Sequence, residues 1–121
     1  MNYMRAWVTA SVLGALRDAR NIDQRVLAEK FNCSNSFVSS WETNRAEVTE
    51  QVINLYSQVL DITKNEIFQL IDHWTDIAVK THNPDNGIWY DNHVLPTLKN
   101  SIYQKYFRER ATPRTRKVYE R

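Results

Sequence analysis

The sequence has little of what an extracellular, membrane-embedded or β-rich protein needs. Its one cysteine, Cys33, cannot form an internal disulfide, and a chain of this kind fits a reducing compartment. Two glycines and three prolines are too few for an all-β fold with many tight turns. No apolar run approaches the roughly 18 residues that suggest a transmembrane helix. We therefore expect a cytoplasmic protein without a membrane segment.

Net charge is also small, +2 over 121 residues, and hardly indicates a nucleic-acid partner. Its distribution is uneven. Residues 99–121 carry eight Lys or Arg against two Glu, so this segment is +6 and the remainder is −4. A basic chain end is either an arm that binds phosphates or a solvated terminus, and the sequence leaves both open. Charges at Arg17, Asp18 and Arg20 favour a helix over a signal peptide for the apolar start of the chain.

Apolar residues recur at helical spacing along most of the chain, which predicts an all-α fold. We expect five helices joined by short turns, at about residues 3–20, 24–31, 35–43, 50–60 and 64–79. The N-caps predicted for the last four are Asp23, Ser34, Thr49 and Thr63.

Turn-forming residues predict where these helices end and how the remaining chain is organised. Asn32 and Asn44 are expected to end the second and third helices, because Asn tolerates the left-handed backbone conformation. A turn over residues 81–87 should lead to a sixth helix over 92–110, with Pro96 in its first turn. The aromatic stretch 88–90 between them is a candidate extended segment.

The most informative stretch is NCSNSFVSSWETNR, residues 32–45. Ser and Asn are poor helix-interior residues, yet Val38 and Trp41 lie three apart, as on one face of a helix. A short helix, a tight turn and a second short helix form a helix-turn-helix, whose second helix lies in the DNA major groove. If Val38 and Trp41 point inward, the opposite face carries groups that can pair with base edges. These groups belong to Asn35, Ser36, Ser39, Ser40 and Thr43.

Residues 13–68 resemble the Cro/repressor-type (XRE-like) helix-turn-helix family. In the first two helices the matching residues are Leu16, Arg17, Gln24, Leu27 and Ala28. In the third helix Ser34, Val38, Ser39, Trp41 and Glu42 fit the family pattern S-x-x-x-[IV]-S-x-[WIL]-E. Downstream, the family core positions hold Ile53, Tyr56, Leu60, Ile62 and Phe68. The resemblance implies a five-helix lambda-repressor-like domain, here with an extended helix 5 and an additional C-terminal helix.

The resemblance also implies roles for single residues. Base contacts fall on the outward face of the third helix named above. Contacts with the DNA backbone fall on Gln24, Ser34, Phe37, Asn44 and Arg45. Gln24 would bond a phosphate and brace the start of the reading helix, and Phe37 would pack at the edge of the motif. Phe31 and Trp41 are expected in the core, with Glu42 in a structural role.

Two departures from the family pattern bear on function. Asn32 and Asn44 stand where the family usually has Gly, and Asn is the next-best residue for a positive φ. The reading helix contains no Lys or Arg, and residues 1–60 carry six basic and six acidic side chains. Phosphate attraction therefore comes from the basic tail, or the domain binds another kind of partner.

The chain beyond the family domain divides into a helical extension, residues 70–110, and a basic tail, residues 111–121; the DNA-binding domain itself is residues 1–69. The apolar face of helix 5 runs further than the family domain needs, so some other surface must cover it. We expect the extension to be a dimerisation element, and an extended monomer core is the alternative. The residues assigned to the dimer interface are Trp74, Ile77, Trp89, Leu98 and Ile102.

No catalytic or metal-binding constellation stands out in the sequence. The three histidines lack metal-ligand spacing, and no phosphate-binding glycine loop or nucleophile elbow is present. We expect no enzymatic activity, no metal and no cofactor. The sequence predicts a transcriptional repressor of bacterial or phage type that binds an inverted repeat of double-stranded DNA as a homodimer. The alternative is a protein-interaction module, or an antitoxin-like protein, that binds a partner with its C-terminal half.

Overall fold

Helices account for all the regular structure in the part of the chain that the computed structural model describes, residues 2–82 and 89–108. The α-helices are α1 (Asn2–Ala19), α2 (Gln24–Phe31), α3 (Asn35–Glu42), α4 (Glu50–Leu60), α5 (Lys64–Thr81) and α6 (Leu95–Tyr106). A π-helical turn (Tyr90–Val94) leads directly into α6. The all-α prediction is confirmed, and the first five helices lie within two residues of their predicted bounds.

Side-chain caps explain why the central helices begin where they do. The hydroxyl oxygens of Ser34, Thr49 and Thr63 accept hydrogen bonds from backbone N–H groups three residues on, at 3.2, 3.4 and 3.1 Å. Each cap satisfies one of the N–H groups that a helix start leaves without a partner. Asn32 and Asn44 have φ of 56° and 58°, so both adopt the left-handed conformation that was predicted for them.

The C-terminal helix differs from its prediction at both ends. Trp89 and Tyr90 are helical and not extended. The α-helix begins only at Leu95, because the ring of Pro96 would clash with the carbonyl group four residues earlier in a regular α-helix. The preceding π-turn avoids this clash, and the N–H of Leu95 bonds the Tyr90 carbonyl. The helix ends at Tyr106, whereas the prediction ran to residue 110; residues 109 and 110 lie outside the described part.

Helix α1 lies at the centre of the fold, packing most extensively against α5 and α6 and also contacting α3 and α4. Its buried side chains join one hydrophobic core with those of the extension. The extension contributes Trp74, Ala78, Trp89, Tyr90, Val94, Leu98, Ile102 and Tyr106 to this core. Residues beyond the family domain therefore complete the core that α1 organises.

The residues predicted at the dimer interface pack within a single chain, and their role in a dimer stays a prediction. Trp74, Trp89, Leu98 and Ile102 are between 0 and 7% exposed in a single chain, and Ile77 packs half-buried against the same core. Because their own chain covers these side chains, a second copy cannot cover them in this conformation. Their placement favours the alternative, an extended core within one chain. The existence of a homodimer stays a prediction.

Phe31 also departs from its prediction as a core residue. It is the last residue of α2 and is 36% exposed. Its ring packs edge-on against Trp41, with 5.2 Å between the ring centroids. Phe31 therefore covers one side of a core residue without being in the core itself.

Candidate nucleic-acid interface

Helix α3 turns its apolar side chains into the domain. Val38 and Trp41 are 0 and 1% exposed. The Trp41 ring lies edge-on to Phe31, Phe37 and Tyr56, so it holds α3 against both α2 and α4. Burial of this face directs the opposite, polar face of α3 outward.

The residues predicted to contact bases differ in how accessible they are. Asn35, Ser36 and Thr43 are exposed, whereas Ser39 and Ser40 are half-buried. The Ser40 hydroxyl donates to the Phe37 carbonyl at 2.5 Å, and the Thr43 hydroxyl donates to the Ser39 carbonyl at 2.8 Å. These hydroxyl oxygens can still accept a hydrogen bond. The N-terminal end of α3 therefore presents the most accessible polar groups.

The residues predicted to contact the DNA backbone lie around the two ends of α3. Ser34 is exposed and caps the helix through Phe37 N. Phe37 itself is 50% exposed and packs on the edge of Trp41, at the border of the motif. At the other end Asn44 reverses the chain, and the backbone N–H of the exposed Arg45 donates to the Ser40 carbonyl at 2.9 Å. The turn after α3 is thus held by the helix itself.

Helices α2 and α3 begin beside one shallow surface depression. It is lined by Arg17, Asp23, Gln24, Arg25 and Asn35. A cationic side chain, an amide from the start of α2 and an amide from the start of α3 therefore share one surface. Arg25, which is exposed, was not singled out from the sequence, although its position next to Gln24 was a usable signal.

Gln24 braces the end of α3 and not its start, which corrects the prediction. Its Nε2 donates to Glu42 Oε1 at 3.1 Å. Glu42 is the last residue of α3, and its side chain is 6% exposed. This hydrogen bond is favourable because a buried carboxylate is costly unless hydrogen-bond donors surround it.

The carboxylate of Glu42 joins four helices. Arg17 of α1 binds it through Nε, at 2.8 Å to Oε2, and through Nη2, at 2.9 Å to Oε1. The Tyr56 hydroxyl of α4 donates to Oε2 at 2.6 Å. Gly14 of α1 also faces this carboxylate: a Cβ there would lie 3.4 Å from Glu42 Oε1, at ordinary van der Waals distance. Together with Gln24 of α2, these contacts fix α3 relative to its neighbours. Arg17, Gln24 and Tyr56 are therefore the residues through which Glu42 plays the structural role that was predicted for it.

Burial and charge in this cluster shift two pKa values. Burial alone would lower the pKa of Arg17, but its hydrogen bonds to Glu42 and the charge of that carboxylate outweigh burial and raise it. The pKa of Tyr56 is strongly raised, first by burial and then by the charge of Glu42. The guanidinium therefore stays charged and the phenol stays neutral, as this hydrogen-bond pattern requires.

A short helix that buries one face, presents amides and hydroxyls on the other and is braced by the helix before it defines a helix-turn-helix DNA-binding domain. The family model described as helix-turn-helix matches residues 13–67. The resemblance inferred from the residues is confirmed for this segment, slightly under half of the chain: residues 13–67 form a helix-turn-helix domain of the Cro/C1-type, XRE family. The domain is that of a DNA-binding transcription regulator, and its family is typically not enzymatic.

No curated protein matches the chain, and no solved structure does. None of the helices within residues 2–82 and 89–108 has both the length and the apolar character needed to cross a bilayer.

Proposed function

We propose that the protein is a transcriptional repressor that binds an inverted-repeat operator as a homodimer. The observation that carries this proposal is the orientation of α3, with Val38 and Trp41 buried and Asn35 and Ser36 exposed. In the helix-turn-helix mode, the N-terminal residues of the second helix contact base edges. The exposed end of α3 is the end that this mode requires.

Asn35 and Ser36 are the residues proposed to read sequence. An Asn side chain can pair bidentately with adenine in the major groove, and a Ser hydroxyl can donate or accept. The half-exposed ring of Phe37 follows them on the same turn of helix and can contact a sugar or a thymine methyl group. Ser39, Ser40 and Thr43 lie further along and add hydrogen-bond acceptors where the groove approaches them.

Gln24, Arg25 and Arg45 are proposed to hold the DNA backbone. One hydrogen of the Gln24 amide is used by Glu42, which leaves the second to donate to a phosphate. Arg25 supplies a positive charge beside Asn35 in the same surface depression. Arg45 supplies a second positive charge beyond the other end of α3. Contacts on both sides of the reading helix set its position in the groove.

A homodimer follows from the way such domains find their sites. Two copies related by a two-fold axis place two reading helices in successive major grooves, with half-sites about 10 base pairs apart. Occupancy of such a site excludes the polymerase, and this is the proposed basis of repression.

Selection of bound sequences from a random DNA pool tests this proposal. We expect an enriched inverted repeat with this spacing. On the selected site, Asn35→Ala should weaken binding by about 1–3 kcal/mol and relax the preference at one base pair. Asn100→Ala, at an exposed asparagine of α6, is the matched control and should change neither. An equal loss by Asn35→Ala on selected and random DNA would show that Asn35 does not read sequence.

One observation favours a second candidate, a protein-interaction module built on the same fold. Helix α3 has no Lys or Arg, and Phe31 and Phe37, which both contact Trp41, expose part of their rings. Such a surface can receive a partner protein instead of a duplex. A gel shift with random-sequence duplex at low salt separates the two. Absence of binding at micromolar protein would favour the module.

A further inference from the structure

The packing of α6 on α1 creates one outward surface to which both helices contribute. Before α6, the Tyr90 hydroxyl donates to Ser11 Oγ at 2.8 Å. After α6, the backbone N–H of Arg108 donates to the Ala19 carbonyl at 2.8 Å. The two helices therefore run side by side in the same direction. The described part of the chain ends at Arg108, and the predicted basic tail, residues 111–121, lies outside it.

A shallow groove follows the line along which α1 and α6 meet. It consists of two adjoining hollows that share Ala15, Asp18 and Lys99 in their linings. Trp7 lines the first hollow and Tyr103 lines the second. Because the hollows share these residues, they form one continuous surface, which we call the α1–α6 groove.

Large aromatic side chains lie partly exposed along the α1–α6 groove. Trp7 is 44% exposed and Tyr103 is 49% exposed. Phe107 stacks on Tyr103, with 5.0 Å between the ring centroids, and extends this end of the groove. Between the aromatic ends the lining includes the small residues Gly14 and Ala15, which leave room for a facing helix. Because Trp, Tyr and Phe are enriched in protein–protein interfaces, this composition fits a protein partner.

Two opposite charges line the groove without forming an ion pair with each other. The Asp18 carboxylate lies 3.2 Å from Arg17 Nη1, but its side chain is 65% exposed. Lys99 is exposed and has no ion-pair partner among the described residues. In a two-fold dimer the same surface faces itself, so Asp18 of each copy can meet Lys99 of the other. The charges of the groove are therefore complementary to those of a second copy of this chain.

The groove also borders the end of α3 that is not proposed to read bases. Thr43 and Asn44, at the C-terminal end of α3, line its first hollow. Asn35 and Ser36 begin the same helix, which has eight residues and is therefore about 12 Å long. Two copies that meet at the groove leave Asn35 and Ser36 free for DNA.

We propose that the α1–α6 groove is the homodimer interface, in which α1 and α6 of two copies pack face to face. This inference rests on the proposed function, which requires two copies of the chain. Asp18 of each copy pairs with Lys99 of the other, and Trp7 and Tyr103 supply the apolar contact.

Charge reversal on the full chain tests this interface, with dimerisation measured by sedimentation equilibrium. Asp18→Lys and Lys99→Asp should each raise the dimer dissociation constant by about 10- to 100-fold, because each change places two like-charge pairs in a symmetric interface. An equimolar mixture of the two variants should dimerise about as tightly as wild type, since both pairs then have opposite charges. Asp72→Lys and Lys80→Asp make the same charge changes on α5 and are the matched controls. Alone or mixed, these controls should dimerise like wild type.

An uncharged variant tests the apolar part of the same surface. Trp7→Ala should raise the dissociation constant at least about tenfold, because a large aromatic side chain is a typical interface hot spot. Circular dichroism checks that each variant is folded. If Asp18→Lys does not fold, Lys99→Asp and Trp7→Ala decide the outcome.

The inference is overturned if the reversals leave the dissociation constant at the control value, or if their mixture stays monomeric. It is also overturned if wild type stays monomeric at high micromolar concentration, which would leave the groove to a different protein.

Binding to DNA separates this inference from the proposed function. If wild type binds the selected inverted repeat and the variants dimerise and bind it unchanged, the interface is wrong and the function stands. If the chain dimerises through the groove but binds no duplex at low salt, the function is wrong and the interface stands.

Discussion

Replacement of Glu42 by Gln should destabilise the domain by about 3 kcal/mol. The change keeps the size of the side chain but removes its charge, and Arg17 is only 13% exposed. Loss of one partner from a buried ion pair costs about 3–5 kcal/mol, because the remaining charge stays buried. We expect the lower end of this range, since Asp18 lies 3.2 Å from Arg17 and still offsets part of its charge.

Urea unfolding followed by tryptophan fluorescence measures this effect, because Trp41 packs against Tyr56 in the same cluster. A small domain has about 5–15 kcal/mol of stability in total, so the loss is a large share of it. With a slope of about 1–3 kcal/mol per molar urea, the midpoint should fall by about 1–3 M. Asp72→Asn is the control, since it breaks the exposed pair of Arg5 and Asp72 and should cost less than about 1 kcal/mol.

Tyr56→Phe provides a graded version of the same experiment. It removes only the hydroxyl that donates to Glu42 at 2.6 Å, and a hydrogen bond to a charged group contributes about 1.5–3 kcal/mol. The expected order of stability is wild type, Tyr56→Phe, then Glu42→Gln. If Glu42→Gln is as stable as Asp72→Asn, the carboxylate does not hold the four helices together and the reasoning is wrong.

Three further outcomes are expected. The pKa of Tyr56 is raised, and that of Tyr106 is raised to about 12, mainly by burial. Their contribution to stability is complete below about pH 10, where unfolded tyrosine is neutral, and is lost as pH rises toward the folded values. Tyr56→Phe should therefore lose less stability than wild type between about pH 9 and 11; an equal loss contradicts this. Leu98→Ala should cost about 2–5 kcal/mol and lower the urea midpoint by the same amount at every protein concentration, because Leu98 is 0% exposed within one chain. A midpoint difference from wild type that grows on dilution would place that burial between chains. Asn32→Ala should cost about 1–2 kcal/mol of folding stability and Asn32→Gly almost nothing, since φ is 56° there; equal unfolding curves would contradict the role of the left-handed turn.

Much of the fold followed from features that act over three or four residues. The hydroxyls of Ser34, Thr49 and Thr63 cap the helices that their positions predicted, because a cap bonds an N–H group a few residues on. The spacing of Val38 and Trp41 predicted their common buried face for the same reason. Such contacts depend on the periodicity of one helix, and periodicity is present in the sequence.

The cluster around Glu42 depended on how separate helices meet. Arg17 and Tyr56 are 25 and 14 residues from Glu42 along the chain, and no spacing rule connects them. The sequence indicated a structural role for Glu42 but not the donors that it binds. The start of α6 was misjudged because a π-turn relieves the constraint of Pro96, and turns of this kind have no simple sequence signal.

By itself, the sequence determined that α3 would be a short capped helix with one apolar face and a polar face suited to base edges, because both properties are local. Only the tertiary structure decided what covers the aromatic side chains of the extension and which residues hold the end of α6. Packing of α6 on α1 buries Trp89 and Leu98 within one chain and brings Arg108 to Ala19. Both results depend on the relative placement of helices distant in sequence, which comes from the joint packing of the whole core and not from any one segment.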